Sequence, residues 1–549
     1  MTGTDINGHF SRDNSLLLEQ QQRQQQSDEV CITPMNLPAI LGIVGAGAMG
    51  RGIAQIAALA GVRTKVYDMQ AGAAESARNA IIAQLNKLQV KGRLTEAAVL
   101  TAIQKIEPVN ALDAFEDCDI VVEAIVENLN AKRELLQKLE QIVGTACILA
   151  TNTSSLSVTA IAVATVNPER VAGFHFFNPV PLMKVVEVIS GVLTAEGVAQ
   201  SLADFAVRIG HKPVRAKDTP GFIVNHAGRG YLTEALRIVQ ETVADFSQVD
   251  EVMREAAGFR LGPFELLDLT ALDVSHPVME SIYQQYYHEP RYRPSAITAQ
   301  RLSAGLLGRK SGRGFYSYEN GIALKDPAKP TCAQAGPWSG TVWIAGTDAD
   351  TRGRLSALLA SCGAIIETGK QASAGALCLV APLGEDVSTC AAREGLDAKR
   401  TIGIDMLTNC SGRLTLMSNP ATDKMLAQQA QALLAQGGQA VTLIQDSYGF
   451  IVQRVLATII NIGCDIAQQG ICTPGDLDSA VELGLGYPRG PLAWGDHIGP
   501  RRVLTVLQNL YRSTGDPRYR ASPWLVRRSQ LNLSLRHLRN DCTTDPINP

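Results

Sequence analysis

His175 and Glu187 sit near the two ends of "HFFNPVPLMKVVEVI" at 175–189, and they are the residues of this chain best suited to moving a proton. The later part of the segment is strand-like, and a period of two puts Glu187 on the same face as Val185 and Ile189. A carboxylate on an apolar face is costly unless it is paired. His175, set before two phenylalanines and a turn bracketed by prolines, is the nearest candidate partner. An imidazole oriented by a carboxylate is a general base able to take a hydroxyl proton near neutral pH. A histidine satisfied inside a core fits the same pattern, so these residues alone leave catalysis and structure both open.

Two other segments place polar groups where a substrate could meet them. "TNTSSLSVTAIA" begins at Thr151 after an apolar run, so Ser154 and its neighbours lie beyond the C-terminal end of a strand, where ligands approach open α/β sheets. Helix capping by Ser155 or Ser157 accounts for part of that pattern. In "KDTPGFIVNHAGRGYLTEALRIV", Pro220 and Gly221 mark a turn and a helical stretch follows. Asn225, in the first turns of that mostly apolar helix, should point at something polar, either a substrate or a neighbouring helix.

The elements that must position these groups begin with "ILGIVGAGAMGRGIAQIAALAGVRTKVYD" at 40–68, which reads as strand, tight turn, helix, strand. Gly45 permits the turn, Gly47 lets the backbone approach a pyrophosphate, and Gly50 lets helix and strand pack closely. The helix N-terminus supplies N–H donors to the anion. Asp68 closes the second strand, where it can accept from both ribose hydroxyls and would repel a 2′-phosphate. NAD is therefore favoured over NADP, with Arg63 and Lys65 the only nearby cations that could argue otherwise.

The chain, at 549 residues, is too long for one core, and three or four folding units are expected. "QDSYGFIVQRVLATII" at 445 aligns without gaps to "KDTPGFIVNHAGRGYL" at 217, and the same offset relates Gly262 to Gly490 and Asp268 to Asp496. This is an internal duplication of a helical domain. A second strand–turn–helix–strand, "TVWIAGTDADTRGRLSALLASCGAIIETG", precedes it, but Asp348 and Thr351 replace two of the turn glycines, so no second NAD site is expected there. The segment "GRLTLMSNPAT" is a candidate echo of "HFFNPV" without its histidine, and chemistry is assigned to the first copy alone.

The expected organisation is a Gln-rich disordered tail (1–37), an α/β Rossmann-type dinucleotide-binding domain (38–216) and an all-α helical domain (217–322). A linker (323–340), a degenerate Rossmann-like domain (341–444), a second helical domain (445–535) and a loose tail (536–549) follow. A formal net charge of −3 gives no reason to expect nucleic acid as partner. Eleven cysteines without a C-x-x-C pair, no signal region and no long apolar run point to a reduced, cytoplasmic protein with no structural metal and no membrane segment.

Over residues 38–320 the chain resembles the L-3-hydroxyacyl-CoA dehydrogenases, through "GAGAMGRGIA", "VVEAIVENLNAKRE", "TNTSSL", "HFFNPVPLMKVVEV" and "DTPGFIVN" in the family's order and close to its spacings. The resemblance implies that His175 is the catalytic base, Glu187 its orienting acid, and Ser154 and Asn225 the residues that position the substrate's 3-oxygen. It also implies that Glu127 and Lys132 contact NAD, that Lys91 meets the CoA moiety of a thioester substrate, and, since helical domains pair across a dimer interface in the family, that the second helical domain either packs against the first within one chain or enlarges the contact of a homo-oligomer. Within the family the two-copy arrangement most resembles the bacterial 3-hydroxyadipyl-CoA dehydrogenases of phenylacetate degradation, with two-copy 3-hydroxybutyryl-CoA dehydrogenases as the alternative. A non-catalytic NAD-binding or structural protein is the rival from another class, and a dehydrogenase of free hydroxy acids the third reading. A dicarboxylyl substrate would need a cation, for which Arg229 and Arg237 are candidates; on sequence both read more readily as solvated helix charges.

Overall fold

The computed structural model describes residues 40–324, 336–346, 348–408 and 412–538. The expected N-terminal tail, most of the linker and the end of the C-terminal tail lie outside these residues.

Short apolar runs between glycine turns form an eight-stranded sheet: β1 (Ile40–Val44), β2 (Arg63–Tyr67), β3 (Ile106–Pro108), β4 (Ile120–Glu123), β5 (Ile148–Thr151), β6 (Val171–Phe176), β7 (Val185–Ser190) and β8 (Lys212–Lys217). Their order is β3-β2-β1-β4-β5-β6-β7-β8, parallel throughout except where β6 meets β7 antiparallel. Helices cover both faces, so the strands are buried and near-continuously apolar rather than alternating. The antiparallel step has a consequence for chemistry, because its register sets His175 directly opposite Glu187.

The helical domain follows, from Val224 to Ser303, and closes with the short hairpin β9 (Tyr318–Glu319) and β10 (Ile322–Ala323). A second sheet then forms from β11 (Thr341–Ile344), β12 (Ile365–Glu367), β13 (Leu377–Val380), β14 (Thr401–Ile404), β15 (Arg413–Ser418) and β16 (Ala440–Ile444), ordered β12-β11-β13-β14-β15-β16. Residues 368–376 alone join β12 to β13. The corresponding stretch of the first copy, between β2 and β5, carries β3, β4 and the helices Ala73–Val90, Glu96–Gln104 and Leu129–Ile142. The second copy is thus a reduced sheet that has lost this excursion.

The single antiparallel step recurs between β14 and β15, which makes β15 the counterpart of β7 and β14 the counterpart of β6. This corrects the sequence comparison: "GRLTLMSNPAT" contains the equivalent of "VVEVIS", and the "HFFNPV" position is taken by the end of β14. Asp405 stands where the first copy has His175, and its backbone N–H donates to the Thr415 carbonyl at 3.0 Å, opposite the residue that replaces Glu187.

The two helical domains share one apolar core, with helix Arg229–Gln240 packed on helix Ile451–Gln468. Both preserve the same turn: Asp250 accepts from Phe264 N and Glu265 N, and Asp478 from Leu492 N and Ala493 N, each at 2.9 and 3.0 Å. A Cβ on either Gly262 or Gly490 would come within 2.3 Å of that aspartate. Ion pairs cross between the domains reciprocally. Arg518, in a "PRY" turn of the second copy, pairs with Glu234 of the first at 3.3 Å, while Arg291, in the "PRY" turn of the first, pairs with Asp465 of the second.

The residues around Leu535 are more anchored than the polar composition there suggests. Leu535 is fully buried, its N–H donates to Asp496 at 2.6 Å, and Arg536 pairs with the same carboxylate at 3.2 Å. Among the described residues no helix is long and apolar enough to cross a membrane, and no group of three His, Cys, Asp or Glu side chains could hold a metal ion.

Candidate active site

The glycine turn after β1 has three different local demands. Gly45 has φ +108°, and a Cβ there would lie 2.5 Å from the Ala124 carbonyl; a Cβ on Gly50 would lie 1.8 Å from the Gly45 carbonyl. Gly47 is different, because nothing lies within 4 Å of its Cβ position and the backbone faces open space. Helix Ala48–Leu59 starts here with no side-chain cap and no acidic residue in its first turn, so its first N–H groups are free for an anion. These features fit a dinucleotide pyrophosphate.

Asp68 closes the turn by accepting from Ala46 N at 2.7 Å and Gln70 N at 2.9 Å. The two cations that left NADP open are otherwise engaged. Arg63 pairs with Glu107 at 2.8 Å, and Lys65 donates to Asp117 at 2.5 Å and to the Ala114 carbonyl.

His175, at the end of β6, lies with Nδ1 2.6 Å from Glu187 Oε2. The carboxylate accepts, so the proton sits on Nδ1 and Nε2 keeps its lone pair. Glu187 is fully buried, and its other oxygen accepts from Ile223 N at 2.9 Å and Val224 N at 2.8 Å. One carboxylate therefore orients the imidazole and ties the first turn of the helical domain to the sheet. The rings of Phe177 and Phe222 stand 4.5 and 5.9 Å from the imidazole and shield it.

Asn225 is brought to the same place, its Nδ2 donating to the Ser154 carbonyl at 3.3 Å. Ser154 itself donates through N and Oγ to Glu127, at 2.8 and 3.2 Å. Glu127 also accepts from the Thr153 hydroxyl at 2.8 Å and from Ser155 N and Oγ at 3.0 Å. Burial pushes against ionisation of Glu127, but the Lys132 ammonium and these donors hold its carboxyl below the ordinary range. Lys132 is almost fully buried, 2.9 Å from Glu123 and 3.4 Å from Glu127.

Sequence reasoning singled out Glu127 without its hydroxyl partners, missed Glu123, and marked Asp218 only as a fold residue shared with Asp446. The run of hydroxyls in "TNTSS" was the available signal that an acceptor had to be near. Asp218 accepts from Ser157 Oγ, Val158 N and Thr159 N, while Ser157 caps helix Val158–Ala162. For Ser157 the capping explanation therefore suffices.

Beyond His175 the chain turns through the cis peptide Asn178–Pro179 and forms one wall of a cleft of about 770 Å³. Helices Ala48–Leu59 and Ala73–Val90 form the rest, and Arg51, Arg93 and Lys184 line it. Lys91 is exposed at the end of the second of these helices, two residues from Arg93. The two candidate carboxylate cations are corrected in opposite ways. Arg237 is engaged with Glu241 at 2.7 Å and Asp516 at 2.6 Å, and Arg229 is no solvated charge, since it is 7% exposed.

The sequence family models for the NAD-binding and C-terminal domains of 3-hydroxyacyl-CoA dehydrogenase match residues 40–219 and, in two separate segments, 221–318 and 449–536. The chain belongs to the 3-hydroxyacyl-CoA dehydrogenase family. As a member, it is an NAD-dependent oxidoreductase. It is 36% identical to the 3-hydroxyadipyl-CoA dehydrogenase of Escherichia coli over 89% of this chain and 97% of that one. A probable 3-hydroxybutyryl-CoA dehydrogenase of Deinococcus radiodurans is 42% identical over 50% of this chain and 99% of its own. Among solved structures, a 3-hydroxybutyryl-CoA dehydrogenase from Escherichia coli superposes with TM-score 0.78 and 33% identity, covering 90% of this chain and 99% of that one. These long matches span both copies, and the family's two-segment match to the helical domain shows the duplication directly.

Proposed function

We propose that this dehydrogenase oxidises (S)-3-hydroxyadipyl-CoA to 3-oxoadipyl-CoA in the breakdown of phenylacetate, with His175 as its catalytic base. The observation that carries the chemistry is the imidazole fixed by Glu187 through Nδ1, which leaves Nε2 to accept a proton. The long match to a 3-hydroxyadipyl-CoA dehydrogenase supports the choice of substrate.

Bound NAD supplies the hydride acceptor. His175 Nε2 takes the proton of the C3 hydroxyl as the C3–H electron pair leaves, and the imidazolium returns that proton when the reaction runs backwards. Glu187, buried against the ring, stabilises the imidazolium and holds the ring in one tautomer. Ser154 and Asn225 hold the 3-oxygen against His175. Glu127, braced by Lys132 and the surrounding hydroxyls, faces the cofactor from the loop after β4; Lys132 acts through that carboxylate. Phe177 and Phe222 keep water from the reacting centre. The cations Arg51, Arg93 and Lys184, with Lys91 beside them in sequence, suit the phosphates of CoA.

The test is NADH formation with 3-hydroxyadipyl-CoA and 3-hydroxybutyryl-CoA side by side, compared as kcat/KM. The diacid thioester is expected to be preferred. A preference for the four-carbon substrate would replace the adipyl reading by that of a 3-hydroxybutyryl-CoA dehydrogenase, like the solved Escherichia coli structure, and turnover of neither would overturn both.

A further inference from the structure

We propose that Arg229 of the first helical domain and Tyr487 of the second bind the distal carboxylate of a dicarboxylyl acyl chain, so that the degenerate copy completes the substrate pocket of the active one. The inference rests on the diacid reading above and names the groups that would enforce it.

Five arginines are buried among the described residues. Four have carboxylate partners: Arg170 with Glu140, Arg291 with Asp465, Arg454 with Glu234 and Glu241, and Arg518 with Glu234. Arg229 has none. Its Nε donates to the Asn225 carbonyl at 2.8 Å, and its Nη1 is buried without a partner. A guanidinium taken out of water without an anion is costly, and the cost is removed when an anion arrives. Burial pulls its pKa down to about 10.

Tyr487 has the same deficiency. It is 5% exposed, and its hydroxyl is buried with no partner. Its ring is held edge-on against Phe259 at 4.9 Å and Tyr231 at 5.5 Å, so the hydroxyl is fixed in place. Leu485, two residues before Tyr487, lies against Gly228, the residue before Arg229, so the two unpartnered groups come from adjoining backbone of the two copies.

The duplication supplies a control inside the molecule. At the same offset that relates Asp218 to Asp446, Arg229 corresponds to Ala457 and Tyr487 to Phe259. The counterpart of Arg229 therefore carries no cation, and the counterpart of Tyr487, the Phe259 ring packed against it, carries no hydroxyl.

The spacing suits a six-carbon diacid. Residues four apart share a helix face, so Arg229 stands over Asn225, displaced by about one turn, or about 5 Å. In an adipyl chain the terminal carboxyl carbon lies three bonds of about 1.5 Å beyond C3, a reach of about 4 Å. With the 3-oxygen held by Ser154 and Asn225, the carboxylate meets the guanidinium in a paired hydrogen-bonding geometry, and the Tyr487 hydroxyl donates to a remaining lone pair.

The test compares the full chain with its R229M and Y487F variants on 3-hydroxyadipyl-CoA and on 3-hydroxyhexanoyl-CoA, which has the same length but ends in a methyl group. R229M is expected to lose about 100-fold in kcat/KM on the diacid, chiefly through KM, and to change less than about threefold on the monoacid. Y487F is expected to lose about threefold to tenfold, again on the diacid alone. Equal losses on both substrates would assign the pair a structural role and overturn the proposal. Should R229M fail to fold, R229K and Y487F decide it by the same criterion, with a diacid-selective loss supporting the clamp and an equal or absent loss overturning it. Unaltered chain that does not prefer the diacid would overturn the substrate reading and the clamp with it. A diacid preference that survives in all three variants would overturn the clamp alone.

Discussion

The two copies share the antiparallel step and the helical unit but have opposite contents. In the first, β6 and β7 set His175 against Glu187, and Asn225 reaches Ser154. In the second, Asp405 stands opposite Thr415, and Gln453 donates to Asp405 at 2.9 Å and to the Pro382 carbonyl at 3.0 Å, as Asn225 does to Ser154. The cofactor turns diverge in the same way. Gly47 leaves the first helix N-terminus open, whereas in the second copy Asp348 accepts from Thr351 N at 2.9 Å and Glu394 from Gly346 N at 3.0 Å. Carboxylates of the protein thus occupy donors that a pyrophosphate would need. Backbone geometry therefore does not make this fold catalytic; the identity of the few side chains at the antiparallel step and the helix N-terminus does.

Exchanging the chemistry of the two dyads breaks the comparison most sharply. His175→Gln is expected to lower kcat by about 10³-fold or more while NAD affinity, read by fluorescence titration, stays within about twofold. Asp405→Asn at the equivalent position of the second copy should leave kcat within about twofold. Comparable losses from both variants would mean that the second site takes part in turnover.

The seam between the copies comes next. Glu234 is fully buried and binds Arg454 at 2.8 Å, Arg518 at 3.3 Å and the Tyr519 hydroxyl at 2.7 Å. Its carboxyl stays ionised although burial opposes this, because the two guanidinium groups pull it down. Glu234→Ala leaves those charges short of a partner and should cost about 3–5 kcal/mol in chemical denaturation. A loss below about 1 kcal/mol would show that apolar packing alone joins the two helical domains.

An effect seen only on acidification concerns His226, whose counterpart in the second copy is Arg454. Both ring nitrogens of His226 meet tyrosine hydroxyls, Tyr292 at 2.7 Å and Tyr286 at 3.0 Å, and burial, aided by Arg229 and Arg291, lowers its pKa from 6.5 to about 3. The folded protein thus binds this proton less readily than the unfolded chain. Its contribution to stability is full above pH 6.5 and falls as the pH drops toward 3. The unfolding midpoint should decline through that window with a slope of up to about 1.4 kcal/mol per pH unit from this group, and His226→Gln should flatten the decline. An unchanged slope in the variant would put the acid sensitivity elsewhere.

Much of the site was legible because local rules constrain it. The three turn glycines announced three separate steric demands, and a period of two placed Glu187 on a buried face that required a partner. The constant offset between the helical domains showed the duplication before any contact was known. The counterpart of "HFFNPV" was misplaced because the second copy keeps the antiparallel pairing while changing every residue that marked it. Arg229 read as an ordinary charge on an amphipathic helix, because the surface that buries it comes from the other copy.

The sequence by itself determined the strand–turn–helix that takes a dinucleotide, the pairing of an imidazole with a carboxylate, and the repetition of one helical unit, since each follows from spacing or periodicity within a short stretch. The tertiary structure alone decided which charges are paired. Arg454 and Glu234 stand 220 residues apart, and Glu127 gathers its hydroxyl donors from a loop on another strand. An ion pair or an unmet donor is defined by what lies within a few ångströms in space, and local sequence has no term for a neighbour supplied by a distant part of the chain.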